Sequence, residues 1–246
     1  DLQKSAIAEM LELAEENGLN DWMARALMET SSLFRAAGDM ERALDNCRAS
    51  LEICREHNLE ELESNALGNM GVITAARGDA AGAKEYFTLA RNIHARLGNR
   101  RGEASTLGNL GIMSRNMQDT RGAAEYLRSA LEIFQELGDI RSEAITLGNL
   151  GNISHDLLDY DSALDLYSRA VRIFVRIGDR RSQEIFLGNL GILHADRGEE
   201  DEAADFYEKA LAISMETGNL RSRGWTMSNK ALLKLKNGDV NTAASL

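Results

Sequence analysis

Along most of the chain, apolar residues recur with the 3.6-residue period of an amphipathic helix, interrupted at regular intervals by short polar breaks. One apolar stretch runs from Ile140 to Leu157, breaks at Leu158-Asp159, resumes from Tyr160 to Ile177 and stops at Gly178-Asp179. The spacing predicts two helices, each about 27 Å long at roughly 1.5 Å per residue. The Asp of the first break is placed to cap the second helix by accepting from its unpaired N–H groups. Gly98, Gly138, Gly178 and Gly218 supply left-handed stops.

The same two-helix pattern returns every 40 residues. Leu-Gly-Asn-(Leu/Met)-Gly stands at Leu67 to Gly71, Leu107 to Gly111, Leu147 to Gly151 and Leu187 to Gly191. Weaker copies stand at Leu27 to Ser31 and Met227 to Ala231. Asp39, Asp79, Asp119, Asp159, Glu199 and Asp239 share one register, and Ala43, Ala83, Ala123, Ala163, Ala203 and Ala243 another. The chain therefore divides into a leading helix over 1–18, helix pairs over 20–57, 60–97, 100–137, 140–177 and 180–217, and a partial terminal repeat over 220–246.

Glycine in a helix interior costs roughly 1 kcal/mol relative to alanine, so two per first helix call for a compensating gain. Close helix–helix approach is that gain. Gly71, Gly111, Gly151 and Gly191 are expected to face the second helix of their own unit. The facing stripe there is Ala83-x-x-x-Phe87-x-x-Ala90, Ala163-x-x-x-Tyr167-x-x-Ala170 and Ala203-x-x-x-Tyr207-x-x-Ala210.

Leu-Gly in a first helix and Ala-x-x-x-aromatic-x-x-Ala in the second resemble the tetratricopeptide repeat over about residues 20 to 246. Three features depart from its usual pattern: a 40-residue unit in place of 34, Leu in place of the first-helix Trp, and Ala95, Gln135 or Val175 in place of the terminal Pro. The longer unit and its Gly-Asn-Leu-Gly core look like the variant in Pins-type spindle-orientation adaptors, kinesin light chains and many bacterial regulatory proteins. The resemblance implies an all-α fold, a right-handed superhelical solenoid of antiparallel helix pairs whose first helices line a concave wall. It also implies a non-catalytic protein-binding scaffold.

On that wall Asn69, Asn109, Asn149, Asn189 and Asn229 would form a ladder, together with the residues four before and three after each. A primary amide donates and accepts at once, which suits the backbone of an extended peptide; bridging between adjacent first helices is the structural alternative. Eight residues before the last four rungs stand Arg101, Arg141, Arg181 and Arg221, whose forks suit an acidic peptide or a C-terminal carboxylate. Their structural alternative is pairing with Asp139 or Asp179, or neutralising the preceding helix end. Between rungs the wall varies, with Asn116 and Asn152 polar and Trp225 apolar. Trp225 either anchors a partner or is covered by a further helix.

Composition narrows the function further. Proline is absent and aromatics make up 5% of the chain, as long helices require. The net charge of −11, of which −7 lies in residues 1–60, argues against nucleic acid. There is no apolar run long enough to span a membrane and no basic-then-apolar leader. Cys47 and Cys54, seven apart, read as small core residues of a reducing compartment, so cytoplasmic residence is expected. The chain starts at Asp1 without Met and stops partway into a repeat, as a fragment would.

Candidate chemistry is sparse. His57, His94, His155 and His194 show no metal-ligand spacing, although His155 and His194 with Asp156 and Asp196 fall on neighbouring rungs. The repeated Gly-x-x-Gly is mid-helix and follows no strand, which excludes a phosphate loop and leaves packing as its role. No nucleophile–base pair stands out, so neither an enzyme, a cofactor nor a metal is expected. Two other roles fit the same pattern: a ligand-sensing or regulatory module of a larger protein, and self-assembly through the array ends involving Leu2, Ile7, Leu11 and Leu13.

Overall fold

A computed structural model describes residues 9–10, 12–14 and 16–236. Leu2, Ile7, Leu11, Asp239 and Ala243, with the last ten residues of the predicted partial repeat, lie outside them. After a helical stretch before Asn17, eleven helices follow: α1 Asn20–Ala36, α2 Met40–Glu56, α3 Glu60–Ala76, α4 Ala80–Arg96, α5 Arg100–Asn116, α6 Thr120–Glu136, α7 Ile140–Asp156, α8 Tyr160–Ile177, α9 Arg180–Arg197, α10 Glu200–Thr217 and α11 Leu220–Lys236. No strand occurs among the described residues. The odd-numbered helices are the first helices of the predicted pairs, and each break falls where the polar punctuation places it.

The chain forms two compact units, residues 1–133 and 134–246. In the first, α1 through α5 pack each on the next, and α1 also meets α3. Ala43, Leu44, Cys47 and Leu51 of α2 join Leu67, Met70 and Ile73 of α3 in one core, with Ala90 and Ile93 of α4. Both cysteines are buried and unpaired, and burial pushes both thiols above their ordinary pKa. In the second unit α7 through α11 pack in the same manner, α7 on α9 and α9 on α11 as well.

The predicted caps form at Asp39, Asp79, Asp119 and Asp159, which accept from the backbone N–H three residues on at 2.8–3.2 Å. A second series lies at the starts of the first helices. Asn99, Asp139, Asp179 and Asn219 accept from Gly102, Ser142, Ser182 and Ser222 at 2.9–3.3 Å. Glu199 breaks the rule, with no side-chain capping bond to the helix it precedes. Its longer side chain instead accepts from His194 Nδ1 at 2.6 Å and Arg197 Nε at 2.8 Å. The His194 bond, with the nearby Arg197, holds its carboxyl below the usual range.

The left-handed stops form at Gly98, Gly138, Gly178 and Gly218, with φ between 64° and 71°. The other breaks turn left-handed as well, and three do so without glycine: Asn58 at φ 55°, Gln118 at 63° and Leu158 at 60°.

Gly71, Gly111, Gly151 and Gly191 are packing positions, as expected. A Cβ built on each lies 2.5–2.7 Å from Phe87, Leu127, Tyr167 or Tyr207 of the following helix, so only glycine lets the pair close. For the other glycine of the Gly-x-x-Gly pair, the packing expectation needs correcting. Gly68 and Gly108 have nothing within 4 Å of such a Cβ, whereas at Gly148 it would collide with the Phe186 ring and at Gly188 it would lie 2.6 Å from Trp225.

Candidate peptide-binding groove

In the first unit the exposed faces of α1, α3 and α5 enclose an open cavity of about 670 Å³. Asn65, Asn69 and Val72 of α3 and Arg101, Ser105 and Asn109 of α5 line it, bringing two ladder rungs and one predicted Arg to one surface together with the positions four before each rung and three after Asn69. Asn69 and Asn109 are half-buried. Among the described residues neither makes a side-chain hydrogen bond, so each amide retains its donors and its acceptor for a ligand.

The α1 wall adds Arg25, Met28, Glu29 and Ser32. The weak repeat copy there hid these positions from sequence reasoning. His94, from the end of α4, also reaches the cavity. It is 5% exposed, and its Nδ1 has no partner. Burial pulls its pKa below the ordinary value against the opposing pull of Glu61 and Glu103, so the imidazole is neutral at neutral pH. Asn116 is exposed at the last position of α5 and is not part of this cavity.

In the second unit the rungs differ from one another. Asn149 is half-buried without a side-chain hydrogen bond. Asn189 Nδ2 donates to Asn152 Oδ1 at 3.3 Å, and the same oxygen accepts from Tyr167 Oη at 2.7 Å. Asn152 thus serves a buried tyrosine and bridges α7 to α9, the structural alternative for an asparagine. Asn229 Nδ2 donates to the Trp225 carbonyl at 3.2 Å. Trp225 lies over Gly188 and stays 43% exposed.

The arginines also divide. Arg141 Nε donates to Asp179 Oδ2 at 3.0 Å, the structural pairing considered from sequence. Arg181 and Arg221 are exposed. His155 Nε2 lies 3.0 Å from Asp196 Oδ2, so those neighbouring rungs do meet, but as a hydrogen-bonded pair. Among the described residues no group of three or more potential ligands surrounds a metal position.

The tetratricopeptide-repeat family profile matches residues 62–136 and 142–216, together more than half of the chain. The chain belongs to the tetratricopeptide-repeat family. Solved structures of similar fold include BtubC (BKLC) from P. vanneervenii, 21% identical with a TM-score of 0.75 over 88% of this chain and 89% of that one. Aspartyl phosphate phosphatase F from Bacillus subtilis is 12% identical with a TM-score of 0.81 over 95% of this chain and 62% of its own. The quorum sensor NprR from B. thuringiensis, in its apo form, is 13% identical with a TM-score of 0.71 over 99% and 69%. At these identities the likeness shows the fold alone: an all-α solenoid of antiparallel helix pairs. No curated protein matches the sequence significantly.

Membership of this family accounts for the division of labour along each first helix. Gly71, Gly111, Gly151 and Gly191 each close a repeat against the following helix, while Asn69 and Asn109 line the open cavity of the first unit. Among the described residues no helix is long and apolar enough to cross a membrane.

Proposed function

We propose that this tetratricopeptide-repeat chain is a non-catalytic interaction scaffold that holds a peptide or protein segment in the groove of its first helices. The observation that carries this reading is the pair Asn69 and Asn109, whose amides face one open cavity without internal partners. An extended segment offers backbone N–H and C=O groups that such amides satisfy, and a rigid wall spares much of the ordering cost of association. Arg25, on the same cavity, offers a guanidinium fork to an acidic group of such a segment.

The test is selection of linear peptides from a random displayed library, followed by fluorescence anisotropy against the wild type and the Asn69→Ala/Asn109→Ala variant. Peptides that bind the wild type and lose affinity for the variant, with helicity unchanged, support the scaffold reading. Peptides that bind both equally, or no enrichment at all, reject the groove.

A further inference from the structure

The two units contain the same inter-helix slot in two states. Shifted by 80 residues, Gly68, His94 and Thr106 correspond to Gly148, Phe174 and Phe186. In the second unit the slot is filled. The Phe186 ring lies over Gly148 and stacks on Phe174, with ring centroids 5.4 Å apart and an interplanar angle of 5°. Phe186 is 7% exposed and Phe174 fully buried.

In the first unit the corresponding parts surround the 670 Å³ cavity, and the filling ring is missing. Thr106 is too short to reach across, and its hydroxyl is turned back to the Gly102 and Glu103 carbonyls at 2.9 Å. A Cβ on Gly68 would meet nothing within 4 Å. His94 takes the place of the stacking ring Phe174, and its buried Nδ1 has no partner. A bare glycine and an aromatic floor thus remain without the ring that completes them one unit later.

We infer that an aromatic side chain of the bound peptide fills this slot, lying over Gly68 and against His94 as Phe186 lies over Gly148 and against Phe174. The inference rests on the peptide-groove reading and specifies the anchor residue within it. Glycine at 68 is then explained, because a ring needs face-on access to the backbone that a methyl group would block.

The test uses the full chain and random linear peptides displayed on phage. Selected peptides are expected to share an aromatic residue whose replacement by alanine weakens binding about tenfold or more, as loss of a buried ring should. Thr106→Phe, which restores the ring found at position 186, and Gly68→Ala should each weaken the same peptides comparably while unfolding no earlier in urea than the wild type. Gly68→Ala meets no neighbour and keeps the test valid if the larger substitution fails to fold.

Peptides that depend on Asn69 and Asn109 but carry no shared aromatic, or that ignore both slot variants, would overturn the anchor and leave the groove reading standing. Absence of any peptide that depends on the two asparagines overturns both. Binding of N-acetyltyrosinamide alone, as tight as the selected peptides and lost in Thr106→Phe, would overturn the peptide source in favour of a free aromatic ligand.

Discussion

Arg141 Nε donates to Asp179 Oδ2 at 3.0 Å, while Asp179 Oδ1 caps α9 by accepting from the Ser182 N–H, also at 3.0 Å. One carboxylate therefore ends one repeat's linkage and starts the next helix. Burial pushes its pKa up. The Ser182 N–H and hydroxyl, with Arg141, outweigh that and hold it below the ordinary aspartate value.

Asp179→Ala is expected to cost about 1 kcal/mol at neutral pH, chiefly through the lost cap. Because the folded-state pKa is depressed, this contribution is present above the unfolded-state value and disappears as pH falls through the folded one. Urea unfolding of wild type and variant should differ at pH 7, begin to converge near about pH 4, where the unfolded-state carboxyl protonates, and meet only below the depressed folded-state pKa. Arg141→Ala, removing a partner that is 67% exposed, should cost no more than about 1 kcal/mol.

The two glycines of each Gly-x-x-Gly should respond oppositely in the first unit. Gly71→Ala places a methyl 2.7 Å from the Phe87 ring, an overpacking worth about 1–3 kcal/mol of destabilisation. Gly68→Ala meets nothing and should stabilise its helix by about 0.5–1 kcal/mol. Urea midpoints of the two variants should fall on opposite sides of the wild type.

Leu158 holds a left-handed φ of 60° with its side chain 70% exposed. Its apolar surface contributes little there, and the backbone conformation costs a non-glycine residue about 1–2 kcal/mol. Leu158→Gly should recover about 1 kcal/mol by thermal or urea unfolding, while Gly198→Ala, at φ 78°, should lose a comparable amount.

The asparagines of the groove should separate into two classes. Asn69→Ala and Asn109→Ala remove no protein hydrogen bond and should leave stability within about 0.5 kcal/mol. Asn152→Ala removes the acceptor of bonds from Tyr167 and Asn189 and should cost about 1 kcal/mol. A double-mutant cycle with Tyr167→Phe measures the part that belongs to the pair.

Cys47 and Cys54 are completely buried, with thiol pKa values raised by desolvation. Both should resist a thiol-specific reagent such as Ellman's in the native protein at neutral pH and react promptly in denaturant.

Periodicity, capping residues and the 40-residue repeat determined the helices, their order and the pairing of Gly71, Gly111, Gly151 and Gly191 with the next helix. These follow from local chemistry: a 3.6-residue apolar period, an orphan N–H that Asp can satisfy, and a glycine opposite a large side chain. The placement of ladder positions on the exposed face of the first helices was legible for the same reason, since residues four before and three after a rung share its face. Tertiary structure alone decided which repeated residues carry equal roles. Asn152 belongs to Tyr167 and Asn189, and Arg141 to Asp179, because those partners come from other helices at distances that sequence spacing does not encode. The contrast between Gly68 and Gly148 arises in the same way. The residues are identical and sit in the same Leu-Gly-Asn-x-Gly core, but the ring that covers one is supplied by the next first helix, where Phe186 stands in place of Thr106.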